Sequence, residues 1–470
     1  DFEVAGANLS AADKETLKKY NSELASLETD FNQTLLEGSL AAAQTINGKK
    51  VAIVNTTQQP LLSELADRNQ RKQLFEAAWN RTDGGAHNTN DILKRIALLR
   101  AKKAELLGFK NYAEWSLQRT MAKTPAAIAQ FFKDLVPASV GKAKVEAKEI
   151  QAQIAKTGGN FSLEAYDWNF YAEQVRKAKY DLDENEIKPY FELKNALENG
   201  VFYAATKLYG ITFKERKDIP VYHPDVLVYE LFEENGTPLG LFYGDFFARE
   251  SKRGGAWMSN FVNQSKLLNT KPVIYNVCNY VKPSDGNPAL LTYDELTTLF
   301  HEFGHALHGF FANQQYASLS GTAVARDFVE FPSQFNEHWA LYPDILKNYA
   351  VHYQTKQPIP QALIDKIKKA STFNEGYAFT EVLAASNLDL QWHTIPADTI
   401  ISNVNDFEKT ALEKTGLWVK EVPPRYRSSY FAHIFGGGYG AGYYSYQWTE
   451  MLCHDAYQWF EENGGLTRAN

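Results

Sequence analysis

Hydrophobic and polar residues recur along most of the chain with the spacing of amphipathic helices. The first such stretch begins at Ser10, which stands at capping-box distance from Asp13, and Gly38 is a typical helix end. Between them apolar side chains return every three or four residues, at Leu17, Tyr20, Leu24, Leu27, Phe31 and Leu35. Similar periodicity through residues 60–205 and again after 290 predicts a mostly helical protein without a fixed repeat.

A short central region has the two-residue period of β-strands instead. Asn235 and Gly236 are a turn signal between two runs of alternating apolar residues. The runs contain Val226 and Val228 on one side and Leu239, Leu241 and Tyr243 on the other. Residues 272–280 are typical of one more strand, so the pattern predicts a small sheet inside a mostly helical chain.

Composition and charge limit the class of partner. The formal net charge of -7 leaves no basic stripe for a nucleic-acid backbone. No window approaches the roughly 18 uninterrupted apolar residues that indicate a membrane span. Cys278 and Cys453 are the two cysteines of the 470-residue chain, which excludes a disulfide scaffold. A reducing, cytoplasmic location is favoured, with the periplasm as the alternative.

The stretch LTYDELTTLFHEFGHALHGFF carries the clearest chemistry. Thr292 and Glu295 form a capping box at its start. One face of the predicted helix is apolar, with Leu296, Leu299, Phe300, Phe303, Leu307 and Phe310. His301 and His305 fall on the opposite side one turn apart, so both imidazoles can reach one metal ion. Glu302 completes the pattern H-E-x-x-H, in which the carboxylate moves a proton during metal-assisted hydrolysis.

A catalytic zinc site usually takes three protein ligands, and three carboxylates follow downstream. Asp327, Glu330 and Glu337 all lie in GTAVARDFVEFPSQFNEHWA. Glu330 and Glu337 are one heptad apart and would share one face of any helix there, so periodicity does not choose between them. His308 shares the face of the H-E-x-x-H residues, and we interpret it as a supporting or core histidine rather than a ligand.

A glycine- and tyrosine-rich stretch, AHIFGGGYGAGYYSYQW at 432–448, is atypical of a regular helix or strand. Its glycines predict a loop that bends or approaches another group closely. Its tyrosines carry hydroxyl groups that can donate hydrogen bonds.

Three separated motifs together resemble the thimet oligopeptidase-like family of zinc metallopeptidases, on the branch of the bacterial peptidyl-dipeptidases or dipeptidyl carboxypeptidases. They are FHEFGHALHGFF, RDFVEFPSQFNEHWA and PPRYRSSYFAHIFGGGYGAGYYSYQW, in that order. The resemblance implies a mostly α fold, a two-lobed helical ellipsoid around a deep substrate channel, with a small sheet next to the zinc-binding helix. The expected segments are 1–185 and 366–470 for the helical lobe, the latter with the Gly/Tyr loop, and 186–365 for the catalytic lobe.

The resemblance also implies the roles of individual residues. Asp327 is then expected to bind the far nitrogen of a ligand histidine, and Glu337 to be a structural or supporting residue. Tyr443 and Tyr444 are expected to line the wall of the channel. The implied zinc ligands are His301, His305 and Glu330, the general base is Glu302, and the donors to the oxyanion are His433, Tyr439 and Tyr446.

Substrate contacts are expected at two further places. A strand edge near KRGGAWM would bind the peptide, with Gly254 and Gly255 allowing backbone to approach backbone, although a glycine turn ending a strand explains them equally well. Arg425 and Arg427 would bind a terminal carboxylate, since a guanidinium fork matches its geometry, although ordinary salt bridges explain them equally well.

The expected function is release of C-terminal dipeptides from short or unfolded peptides by a monomeric hydrolase that holds one zinc ion per chain, without nucleic-acid or membrane partners. An oligopeptidase that cuts internal bonds is the alternative within the family. A peptide-binding protein with an inactive site is the alternative from another class. Members of the family that it resembles are longer at both ends than this chain.

Overall fold

A computed structural model gives the fold of the chain. It describes residues 2–53, 59–181, 183–249, 252, 255–284 and 286–470. The chain divides into two compact units, each built from two segments. The first unit contains residues 1–180 and 370–445, and the second contains residues 181–369 and 446–470.

The elements confirm a mostly helical chain with a small sheet. The helices are α1 (Ala11–Ala41), α2 (Arg68–Trp79), α3 (Asn90–Leu106), α4 (Tyr112–Ser116), α5 (Pro125–Lys156), α6 (Trp168–Tyr180), α7 (Glu184–Ile187), α8 (Leu193–Asn195), α9 (Tyr203–Tyr209), α10 (Tyr293–Phe310), α11 (Phe331–Glu337), α12 (Pro343–Tyr349), α13 (Gln361–Ala370), α14 (Glu375–His393), α15 (Val404–Thr415), α16 (Ala432–Phe435) and α17 (Ser445–Glu462). A π-helical segment, Ala196–Phe202, joins α8 to α9. The strands are β1 (Gln44–Ile46), β2 (Lys49–Val51), β3 (Thr212–Glu215), β4 (Leu227–Phe232), β5 (Pro238–Phe247), β6 (Trp257–Val262) and β7 (Val273–Tyr280).

Helix α1 starts as its capping signal predicts but ends later. Ser10 Oγ accepts the N–H of Asp13 at 3.1 Å. The predicted end at Gly38 is wrong, because the helix continues to Ala41. Gly38 is buried, and a Cβ on it would lie 2.8 Å from the carbonyl oxygen of Arg81. This glycine therefore serves close packing rather than helix termination.

The first unit is held by the close packing of α5 on α14. A Cβ at Gly376 would lie 2.3 Å from the backbone nitrogen of Ala143, so only glycine allows this approach. The Glu146 carboxylate accepts the N–H groups of Gly376 and Tyr377 at 3.1 and 2.9 Å, which satisfies the first turn of α14. The core beside this contact combines both chain segments, with Ile150, Ile154, Trp168, Tyr171, Tyr377 and Val422.

The second unit contains a five-stranded sheet in the order β3-β4-β5-β7-β6. Strands β5 and β7 run parallel, and the other neighbours are antiparallel. Helix α10 lies against β6 and β7, where a Cβ on Gly309 would come within 2.4 Å of Ile274 and 2.8 Å of Met258. The predicted sheet beside the H-E-x-x-H helix is thus confirmed. The short strands β1, β2 and β3 were not predicted, because three or four residues are too few to show a period.

The glycine- and tyrosine-rich stretch is irregular over a shorter range than predicted. Residues 436–444 form turns, but α17 begins at Ser445, so Tyr446 lies in its first helical turn. The last four residues of the stretch, 445–448, are therefore helical. Within the described residues, none of the helices combines the length and apolar composition that a bilayer crossing needs.

Candidate active site

Helix α10 presents three polar side chains because its other faces are buried. Thr292 Oγ1 accepts the N–H of Glu295 at 3.0 Å, and the Glu295 carboxylate accepts the N–H of Thr292 at 2.9 Å, which confirms the predicted capping box. The predicted apolar face is buried throughout. His301, Glu302 and His305 follow from this start at the positions that the helical period assigns to the opposite side.

The second part of the site is the start of α11. Glu330 is the residue that precedes the first turn of this helix, and Ser333 Oγ donates to its carbonyl oxygen at 2.8 Å. Helices α10 and α11 approach closely at Gly304, where a Cβ would lie 2.5 Å from the carbonyl oxygen of Pro332. Asn336 fixes the same contact by donating to the carbonyl oxygen of Phe300 at 2.7 Å. The glycine inside H-E-x-x-H thus has a packing role that sequence reasoning missed.

Three side chains converge where the two helices meet. Glu330 Oε2 lies 3.4 Å from His301 Nε2 and 3.1 Å from His305 Nε2. Zinc bonds of about 2.0–2.2 Å in a tetrahedral arrangement put neighbouring ligand atoms about 3.3 Å apart, so the three side chains fit a metal ion. In the described part of the chain, this is the group of three whose ligand atoms all lie within 4.8 Å of one another.

The far nitrogens of the two histidines differ in their surroundings. Glu337 Oε1 accepts from His301 Nδ1 at 2.6 Å, which orients the ring. His305 Nδ1 is buried with no hydrogen-bond partner among the described residues. The carboxylate of Glu337 thus binds the far nitrogen of His301, and the supporting role expected of Asp327 stays a prediction.

Charge pairing dominates the electrostatics of the cluster. Burial lowers the pKa of His301, but hydrogen bonds with Glu330 and Glu337 outweigh it and hold that pKa well above its ordinary value. Burial raises the pKa of Glu330, but bonds from His301 and His305 hold it well below its ordinary value. The imidazoles and the Glu330 carboxylate thus stabilise each other here, in positions where a divalent cation could replace the protons.

Glu302 is a buried carboxylate next to the two histidines of α10. Its side chain is 4% exposed, and burial raises its pKa against the opposing charges of His301 and His305. Its Oε2 atom has no hydrogen-bond partner among the described residues. A buried carboxylate with a raised pKa and an open acceptor atom suits a general base that later acts as an acid.

His308 lies outside the metal cluster. Burial lowers its pKa, with a further contribution from His305, and its ring packs edge-on against Phe328 with centroids 6.2 Å apart. This agrees with its interpretation as a supporting or core histidine.

The remaining predicted donors lie on two different elements. His433 and Tyr439 belong to the first unit, where their ring centroids are 5.5 Å apart, and the buried ring of Tyr443 packs 5.3 Å from His433. Tyr446 belongs to the second unit on α17. Its carbonyl oxygen accepts from Gln334 of α11 at 3.1 Å, which ties the start of α17 to the helix that follows Glu330.

The two arginines both have internal carboxylate partners. Arg427 is 6% exposed and donates to Glu408 at 3.2 Å and to Asp83 at 3.0 Å. Arg425 Nη1 donates to the buried Glu381 at 2.8 Å and keeps a more exposed side chain. The pairing with Glu408 and Asp83 explains why an arginine is present at position 427 without a substrate carboxylate.

The predicted peptide-binding edge is described in part. Gly254 lies outside the described residues. Gly255 has a φ of +88°, where glycine is favoured, and its carbonyl oxygen accepts from Asn279 at 2.7 Å. Strand β6, which begins at Trp257, is an edge strand of the sheet.

Comparisons with known proteins agree with these features. The dipeptidyl carboxypeptidase of Escherichia coli K12 is 52% identical over 497 aligned residues, which cover the whole of this chain and 73% of that protein. Oligopeptidase A of the same strain is 32% identical over 508 residues, covering 100% of this chain and 74% of that protein. The solved structure of PZ peptidase A with an inhibitor has a TM-score of 0.53 at 16% identity, covering 98% of this chain and 70% of that one, which shows the fold alone.

The sequence pattern of one family covers most of the chain. The profile described as Peptidase family M3 matches residues 61–470, which include the H-E-x-x-H helix, Glu330 and the glycine- and tyrosine-rich stretch. The chain therefore belongs to peptidase family M3, a family of metallopeptidases, and this confirms the family expected from its motifs.

Proposed function

We propose that this chain is a zinc metallopeptidase that releases dipeptides from the C-terminus of oligopeptides. The observation that carries the proposal is the convergence of His301, His305 and Glu330 next to the buried Glu302. The similarity to a dipeptidyl carboxypeptidase along the whole chain supports the class of product. One zinc ion per chain is proposed, because two imidazoles and one carboxylate are a common catalytic zinc set.

His301, His305 and Glu330 would hold the metal, and Glu337 would orient His301. Zinc in such a set supplies Lewis acidity toward water and toward a peptide carbonyl. Glu302 then accepts a proton from the attacking water through its open oxygen and delivers it to the departing amine. Because burial raises the pKa of Glu302, its protonated form is accessible enough to serve as the acid in the second step.

We propose that His433, Tyr439 and Tyr446 donate hydrogen bonds to the oxygen of the scissile carbonyl as negative charge develops there. An imidazole N–H and two phenol O–H groups are suitable donors. Replacing Tyr439 or Tyr446 by phenylalanine should lower kcat about 100- to 1000-fold if the donated bond is made in the transition state. Metal content should stay unchanged.

For the terminal carboxylate we propose Arg425 rather than Arg427, because the guanidinium of Arg427 is buried between carboxylates. The substrate backbone is proposed to pair with the edge strand β6, preceded by Gly254 and Gly255. The lobes are proposed as the two units, 1–180 with 370–445 and 181–369 with 446–470, in place of the expected 1–185 with 366–470 and 186–365. A monomer in the cytoplasm, acting on short or unfolded peptides, completes the proposal, with the periplasm as the alternative location.

The decisive experiment uses an N-terminally blocked peptide and mass spectrometry of its products over time. Successive loss of C-terminal dipeptides, abolished by a chelator and restored by zinc, is the expected result. Fragments from internal cleavage that persist when the peptide is C-terminally amidated would favour the endo-acting alternative, which the similarity to oligopeptidase A also suggests. The Glu302→Gln variant should bind zinc and lose turnover. Binding of peptide with no cleavage by the wild type would favour the peptide-binding alternative.

A further inference from the structure

The carboxylate of one buried aspartate binds the backbone of the glycine- and tyrosine-rich loop of residues 436–444. Asp389 of α14 is 1% exposed, and its two carboxylate oxygens accept different backbone groups of the loop. Oδ1 accepts the N–H of Ala441 and Oδ2 accepts the N–H of Tyr443, each at 2.8 Å. A charged acceptor with two backbone donors is among the stronger hydrogen-bonded arrangements in proteins. The shape of the loop is thus tied to one side chain about 50 residues earlier.

Asp389 is itself held by a chain of polar contacts inside the first unit. Arg100 Nη1 donates to His393 Nε2 at 2.8 Å, so the ring carries its proton on Nδ1. That nitrogen donates to the backbone carbonyl oxygen of Asp389 at 2.8 Å and also lies 2.8 Å from Asp389 Oδ1. Arg100 also donates to the carbonyl oxygen of Ile434 in α16, just before the loop, and its Nη2 donates to Glu28 at 2.8 Å. His393 therefore links Asp389 on α14 to Arg100 on α3.

The loop conformation that Asp389 holds is an unusual one. Ala441 has a φ of 58°, in the left-handed region that a residue with a Cβ rarely adopts. Gly440 beside it packs so closely that a Cβ would lie 2.9 Å from Arg100 Nη1. Strained backbone of this kind persists where the surroundings over-determine it, and it is concentrated at functional sites. The two bonds to Asp389 lie at the strained residue and two residues after it, so they hold the backbone on both sides of the strain.

Backbone hydrogen bonds connect this part of the loop to His433 and Tyr439, two of the residues that are proposed as donors. The N–H of Tyr439 donates to the carbonyl oxygen of His433 at 3.0 Å, and Tyr439 in turn accepts from the N–H of Gly442 at 2.8 Å. Gly442 lies between the two residues that Asp389 binds. A shift of the loop at residues 441–443 would therefore move the backbone of Tyr439, and with it the ring.

We propose that Asp389 is a positioning residue for the peptidase reaction, which acts by holding the Gly/Tyr loop in its working conformation. The inference rests on the proposed function, in which Tyr439 is a donor to the substrate. Asp389 contacts no reacting atom, and its effect is on placement of the loop. Loss of this placement should lower kcat and leave both KM and metal content nearly unchanged, because the donor acts in the transition state.

The test compares Asp389→Asn with a matched control, Asp167→Asn. Asp167 is also a buried aspartate of the first unit with arginine partners, Arg68 and Arg71, but it does not contact the loop. We expect Asp389→Asn to lower kcat about 10- to 100-fold, as misplacement of a catalytic group does. Hydrogen exchange in a peptide covering 436–444 should become about 10- to 100-fold faster, because a charged hydrogen bond is lost. Asp167→Asn should change neither quantity.

A rescue variant separates positioning from general stability. Glycine adopts a positive φ without strain, so adding Ala441→Gly to Asp389→Asn should restore several-fold of the lost kcat. If Asp389→Asn does not fold, His393→Gln, which removes the imidazole that lies between Arg100 and Asp389, should show the same pattern at smaller size. Unchanged loop exchange and kcat in the folded Asp389 variant would overturn the inference, as would equal losses in Asp167→Asn.

A failure of the proposed function can be distinguished from a failure of the inference about Asp389. If wild-type protein shows no chelator-sensitive release of dipeptides, the reaction assignment is wrong, while the exchange measurement still tests whether Asp389 holds the loop. If the wild type is active and the exchange is unchanged in the variant, the inference about Asp389 alone is wrong.

Discussion

The hydrogen bond between Glu337 and His301 makes a quantitative prediction for metal affinity. The Glu337→Gln variant keeps an oxygen that can accept from His301 Nδ1 but removes its charge. The Glu337→Ala variant removes the acceptor altogether. Both leave the three proposed ligands in place, so any change in metal affinity reports on the orientation and basicity of His301.

The size of the effect follows from the geometry. The bond is short, at 2.6 Å, but the Glu337 side chain is 32% exposed, so water screens part of its charge. Loss of such an outer partner typically costs about 10- to 100-fold in metal affinity. We expect the lower end for Glu337→Gln, about 10-fold or 1.4 kcal/mol, and the upper end for Glu337→Ala, about 100-fold or 2.8 kcal/mol.

The assay is a competition between protein and a zinc chelator of known affinity, read by the chelator's absorbance. A suitable control is Glu198→Gln, since Glu198 is 38% exposed and accepts from the hydroxyl of Tyr229 at 2.8 Å, outside the metal cluster. Its zinc affinity should match the wild type. Identical affinities for wild type, Glu337→Gln and Glu337→Ala would refute the reasoning, because His301 would then need no carboxylate to bind metal.

Three further predictions concern stability and substrate binding in the first unit. Gly376→Ala places a Cβ 2.3 Å from the nitrogen of Ala143 and should cost about 3 kcal/mol, seen as a lower Tm, because backbone must shift. Burial raises the pKa of Glu146 above its ordinary 4.5, so the stability it contributes is present below that pH and lost as pH rises through the raised pKa. The Tm of Glu146→Gln relative to wild type should therefore rise from acidic to neutral pH, and a constant difference would count against this. Arg427→Lys should lower Tm with KM for dipeptide release unchanged, whereas Arg425→Lys should raise KM, and the opposite pattern would exchange their roles.

The sequence predicted the features that depend on neighbouring residues. The capping box of Thr292 and Glu295 and the apolar face of α10 follow from local spacing, and both are confirmed. The heptad spacing of Glu330 and Glu337 could not separate their roles, because Glu330 precedes α11 and helical periodicity does not apply to it. The two carboxylates approach different nitrogens of His301.

Features that depend on distant parts of the chain were missed. The local pattern predicts a helix end at Gly38, but the glycine is required there because the backbone of Arg81 lies against it. Gly304 stands at a position that the H-E-x-x-H pattern leaves open, and the requirement for glycine there comes from the contact with Pro332. The bond from Asp389 to Ala441 joins residues 52 positions apart, so no local pattern carries it. Signals of this kind require knowledge of which elements pack together.

The discontinuous first unit has a consequence for how the protein is made. Helix α5 ends at residue 156 and its packing partner α14 ends at residue 393, so 237 further residues must be synthesised first. At about 5–20 residues per second this takes about 10 to 50 seconds. During that interval Ile150, Ile154 and Trp168 lack Tyr377 and Val422, while residues 181–369 already contain H-E-x-x-H and Glu330. The ribosome thus completes the segment that carries H-E-x-x-H and Glu330 before the helices that were begun first can close their core.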